Sequence, residues 1–72
     1  MIYLNHKRKG EHLMFVYNLP DYFSTYPYIV VTQDGNDFWF YGAYSSFAAA
    51  MNVALEIDGY VYDSCIVHKR EE

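Results

Sequence analysis

The sequence predicts an α+β fold: a small antiparallel sheet in the element order β-β-β-β-α-β, with one helix packed on one face. Three observations predict it. Residues 28–41 alternate β-branched and aromatic side chains about an Asp34-Gly35 pair, which is a hairpin signature. Residues 47–57 place alanines and larger apolar residues at helical spacing after a serine pair. The chain is 72 residues long and 53% hydrophobic, with no repeat and no linker, so one packed domain spanning 1–72 is expected.

Taken in order, residues 2–5 form a short strand and Lys7-Arg8-Lys9-Gly10 a four-residue turn, Gly10 supplying a positive φ. Residues 11–18 form a second strand, which makes an N-terminal hairpin. Pro20 and Pro27 bound a connecting loop that carries Tyr22, Phe23 and Tyr26. With Asp34-Gly35 at the turn, Val31 faces Phe38, Ile29 faces Phe40, Val30 faces Trp39 and Tyr28 faces Tyr41. That register puts Ile29, Val31, Phe38 and Phe40 on a core face. Tyr28, Val30, Trp39 and Tyr41 fall on an amphipathic aromatic face, which a single helix leaves uncovered.

Ser45 or Ser46 caps a helix that runs to about Ile57 and ends at Asp58-Gly59. Phe47, Ala50, Met51 and Ala54 share its apolar stripe, flanked by Leu55 and Ile57, with Ala49, Asn52 and Glu56 opposite. Residues 60–68 form a closing strand.

Charge is distributed unevenly. The net charge is −4, and all five cations lie near the ends: Lys7, Arg8, Lys9, Lys69 and Arg70. Between them stand Glu11, Asp21, Asp34, Asp37, Glu56, Asp58 and Asp63, with no Lys or Arg. Cys65 is the one cysteine, so no disulfide forms within the chain, and a reducing cytoplasm is the expected setting. The N-terminus lacks the charge order of a signal peptide, and no apolar run is long enough to span a bilayer.

The search for chemistry yields no catalytic, cofactor-binding or metal-binding residue. The four glycines are scattered at turns and form no phosphate loop. His6 and His12 alone do not close a zinc site, and Cys65 and His68 point to opposite faces of a strand. Cys65 stands in an apolar stretch, which predicts buried packing rather than a nucleophile. The carboxylates fall at turns and a helix end, with no cleft to pair them. Nucleic acid is disfavoured as a partner, because an acidic body repels phosphates and the aromatic face lacks flanking cations.

Protein binding has positive support. Tyr and Trp make up most of the aromatic 21% of the chain, and these residues anchor interfaces. An acidic surround steers such a domain toward a larger host protein with a basic surface. Tyr28, Trp39 and Tyr41 are the expected anchors, and Asp34, Asp37 and Glu56 the steering charges. The alternative is a homo-oligomeric accessory or regulatory protein, a homodimer whose subunit interface is that aromatic face. In size, acidity, lone cysteine and compact β-rich pattern with one helix, the chain resembles small phage-encoded inhibitors of bacterial defence, the anti-CRISPR proteins. The resemblance implies binding to a CRISPR effector inside the bacterial cell and blockade of its activity.

Overall fold

The structure is a computed structural model that describes residues 3–4 and 13–70. The described residues form β1 (Tyr3–Leu4), β2 (Met14–Tyr17), β3 (Tyr28–Asp34), β4 (Asp37–Tyr44), α1 (Phe47–Ile57), β5 (Tyr60–Asp63) and β6 (Val67–Lys69). A first 3-10 turn at Asp21–Thr25 and a second at Ser64–Ile66 complete them. The chain is α+β, with one helix packed against one sheet.

The sheet is mixed rather than antiparallel throughout. Its strand order is β1-β5-β3-β4-β2-β6, and β1–β5, β2–β4 and β2–β6 pair in parallel. The expected N-terminal hairpin does not form, because β1 lies at one edge beside β5 while β2 lies between β4 and β6. Met14 and Val16 draw β2 there, since both pack into the apolar cluster that β4 lines with Phe38 and Phe40. The expected turn at residues 7–10 lies outside the described residues.

The closing strand is broken in two. Asp63 pairs with Tyr28 at the start of β3, the Ser64 N–H donates to the Pro27 carbonyl at 2.9 Å, and the second 3-10 turn swings Ile66 inward. In the sheet order β6 is four strand spacings from β5, about 19 Å if the sheet were flat. The link from Asp63 to Val67 reaches about 14 Å at full stretch. The sheet must therefore curl. Its inner face gathers Val16, Leu19, Ile29, Val31, Tyr62, Ile66 and Val67 into one buried cluster, which Phe23 of the first 3-10 turn helps to close. Asn18, at φ 63, turns the chain after β2 so that Leu19 enters this cluster.

The two-residue β3–β4 turn is centred on Gly35-Asn36 rather than Asp34-Gly35. Gly35 takes φ 66 at the first central position, so the glycine supplies the one positive φ and Asp34 and Asp37 become the flanking pair. Near the turn this shifts the register by two residues, and the inner set Ile29, Val31, Phe38 and Phe40 is unchanged. A bulge then intervenes. Val31 pairs with Phe40 but Val30 pairs with Gly42, which leaves Tyr41 as the extra residue. Tyr28 consequently faces Tyr44, and Thr32 rather than Val30 faces Trp39.

Helix α1 begins as the sequence predicts, with the Ser46 hydroxyl accepting from the Ala49 N–H at 3.3 Å. It ends at Asp58, left-handed at φ 60, where the Gly59 N–H donates to the Ala54 carbonyl at 2.8 Å. Ala50 and Ala54 are fully buried against Val30 and Val61 of the outer sheet face, with Tyr28, Tyr44, Met51, Val53 and Ile57 around them. The two alanines let the helix approach closely, and its stripe is turned toward Val53. Leu55, expected at the margin of the stripe, is 61% exposed.

Candidate protein-interaction surface

Helix α1 covers only part of the outer face: β5, β3 and the C-terminal end of β4. The N-terminal end of β4, with β2 and β6, is left open. Alternation fixes which residues look outward there. Met14, Val16, Phe38 and Val67 belong to the inner cluster, so Phe15, Tyr17, Trp39 and His68 project to the outer face.

Two cross-strand rows result. In one, Thr32 pairs with Trp39, Trp39 with Tyr17, and Arg70 lies beside Tyr17. In the other, Asp34 pairs with Asp37, Phe15 follows one step before the Val16–Phe38 pair, and Phe15 pairs with His68. The rings of Tyr17 and Trp39 are stacked at 4.8 Å between centroids and 27° between planes. That separation matches the spacing of neighbouring strands, so the rings stand upright side by side. The Arg70 guanidinium carbon lies 5.6 Å from the centroid of Tyr17, on the β6 side. Phe15 and His68 are tilted at 41° with centroids 5.9 Å apart. Phe15 is 46% exposed, Trp39 37% and Tyr41 51%.

The expected site residues are dispersed. Tyr41, the extra residue of the bulge, is exposed near Tyr44 and belongs to neither row. Trp39 lies on the open part, with Asp34 and Asp37 at its hairpin end. Tyr28 does not: it is half-buried beside α1 and meets the Phe47 ring edge-on at 5.6 Å, so it serves the helix–sheet contact. The reason is that α1 packs on the face expected to be left uncovered: Val30 is buried against Ala50 and Ala54, and Tyr28, on the same face, lies beneath the start of the helix opposite Tyr44. Glu56 is exposed on the solvent side of α1, on a different element from the aromatic rows.

Phe15, Tyr17, His68 and Arg70 complete the surface and were not singled out from sequence. The alternation in residues 14–17 was a visible signal for the first two, but both of its faces are apolar, and only the β2–β4 pairing decides which one is covered.

The tail cations are engaged locally. Lys69 projects to the inner side and forms an ion pair with Asp21 of the first 3-10 turn. The lysine's hydrogen bond and charge hold the Asp21 carboxyl below the usual carboxylate range. Asp34 and Asp37 take no part in an ion pair among the described residues.

Cys65 is exposed on the second 3-10 turn rather than buried, because the turn directs its neighbours Ile66 and Val67 inward. Among the described residues, no three His, Cys, Asp or Glu side chains gather as metal ligands, and no helix is long and apolar enough to cross a membrane. Comparison with protein-family models, with curated proteins and with solved structures returned no match.

Proposed function

We propose that this chain is a non-catalytic protein-binding domain that docks stoichiometrically on a larger, basic, nucleic-acid-handling host protein in the bacterial cell. A CRISPR effector is the partner that the sequence resemblance names. The observation that carries the reading is the open aromatic surface of Phe15, Tyr17 and Trp39, bordered by two carboxylates without an ion pair among the described residues. Upright rings whose faces are taken by neighbours offer their edges outward. That suits the side chains of a protein partner better than stacked bases. Among the described residues the cations are Lys69, paired with Asp21, and Arg70 over the Tyr17 ring, so one guanidinium is what this surface offers a phosphate backbone. Negative charge at the hairpin end favours encounter with a basic groove.

Two measurements test the reading together: capture of binding proteins from bacterial lysate on immobilised chain, and titration of a CRISPR effector nuclease with the free chain. The expected result is a captured nucleic-acid-handling protein and DNA cleavage that falls in proportion to the mole ratio. Trp39→Ala should weaken capture by about thirtyfold or more, the loss of a single interface anchor. Capture unchanged by Trp39→Ala and by Asp34→Lys with Asp37→Lys, or cleavage untouched at excess chain, overturns it.

A further inference from the structure

The stacked ring pair of the open surface carries a cation on one side only. Arg70 lies against Tyr17, its guanidinium carbon 5.6 Å from the ring centroid, and Tyr17 stacks on Trp39. On its other side Trp39 faces Thr32 of β3, whose side chain is too short to cover more than the base of an upright indole. Among the described residues no ring or cation meets that side of Trp39, which is 37% exposed. We propose that the place above Thr32, against Trp39, takes an arginine side chain of the protein partner. The proposal rests on the reading above that the open outer face is the chain's contact surface, and it names the group which that surface grips.

Charge selects this occupant. Asp34 follows Thr32 by two residues on β3, and Asp37 precedes Trp39 by two on β4, so both project on the outer face. They stand about 7 Å along the strands from the Thr32–Trp39 pair. A guanidinium laid on the indole above Thr32 is therefore within reach of the Asp34 carboxylate, with Asp37 across the hairpin. Asp34 and Asp37 pair directly with each other, and like charges so placed are destabilising. Neither has an ion pair among the described residues. An incoming cation relieves that opposition.

Arginine fits the place better than its rivals. The chain already lays one guanidinium on the far end of the same ring pair. A planar guanidinium stacks on a ring and donates N–H groups in its own plane at once, which the ammonium of lysine does not. A nucleic-acid base would use the same strip of indole, but its phosphates would meet two carboxylates.

The indole N–H of Trp39 tests this directly. It is the only tryptophan, so it gives one indole signal in the proton–nitrogen spectrum of the isotope-labelled chain. The titrants are three capped tripeptides: Gly-Arg-Gly, Gly-Lys-Gly and, with the same shape but no charge, Gly-citrulline-Gly. The arginine peptide should move the signal saturably, with a Kd of about 1–10 mM. The lysine peptide should bind about threefold more weakly, and the citrulline peptide about tenfold or more. Asp34→Asn with Asp37→Asn should cost the arginine peptide about tenfold. The urea midpoint of that variant should rise, because the opposed charges are gone, so its weaker binding is not a loss of fold.

An indole signal indifferent to the arginine peptide overturns the proposal. So do equal affinities for the arginine and citrulline peptides, or an asparagine pair that binds as the native chain does. A signal moved by oligothymidylate and not by the arginine peptide overturns it as well. Host capture through Trp39 without the arginine preference removes this site and leaves the partner reading standing. The arginine preference without host capture does the reverse.

Discussion

Single residues on this small sheet are held by neighbours distant in sequence. Tyr62 is 5% exposed on the inner face, with its ring edge-on to Phe38 at 6.1 Å. Burial, and secondarily the nearby Tyr60 phenol, raise its pKa above the ordinary 10.0. A group whose folded pKa is raised gives its full share of stability below the unfolded value, and loses that share as pH rises through the folded one. The contribution of Tyr62 to the melting temperature should therefore be constant below about pH 10 and fall above it. Tyr62→Phe keeps the ring and removes the titration, so its melting temperature should fall less steeply over the same range. A native-like alkaline slope in that variant contradicts the assignment. Tyr44, raised by burial and then by Tyr41, leaves a slope of the same sign.

Among the elements, α1 and the β3–β4 hairpin were legible because their determinants are local. Ser46 caps the helix, Asp58 ends it in a left-handed turn, and a glycine supplies the positive φ between two strands. Gly59 fixes how closely the end of α1 approaches β3. A Cβ there would lie 2.5 Å from the Val31 carbonyl oxygen, a backbone atom that cannot swing aside. Gly59→Ala should destabilise the fold by about 1–3 kcal/mol, read as a lower urea midpoint at unchanged slope. What was not legible is long-range. Nothing near Phe15 or Tyr17 in the chain announces that β2 runs parallel to β4, and without that pairing neither residue is placed beside Trp39. The bulge at Tyr41 has no local signature either, nor does the choice of sheet face by α1, which covers the face of Tyr28 and Val30. The expected site was therefore half legible: alternation placed Trp39 and the hairpin placed Asp34 and Asp37 at its end, while Tyr41 fell on the bulge and Arg70 and His68 arrive through the broken closing strand.

At the scale of the whole molecule, the curl gives the sheet two unlike faces. The inner face is closed by the two 3-10 turns and by Leu19, and the outer face is shared between α1 and an uncovered aromatic half. A 72-residue chain has a thin core, with Ile29 and five valines its largest fully buried side chains. Leaving Phe15 and Trp39 partly in water forgoes burial in a fold with little to spare, about 1.5–3 kcal/mol for each large apolar side chain fully buried. A contact surface accounts for that sacrifice. Trp39 is the only tryptophan of the chain, so 5-hydroxytryptophan incorporated there marks this surface and can be excited apart from a partner's tryptophans. Acrylamide quenching of that label in the free chain at low concentration, compared with the complex captured from lysate, tests the claim most directly. The account predicts ready quenching in the free chain and strong protection in the complex; a captured complex in which Trp39 is quenched as readily as before would contradict it.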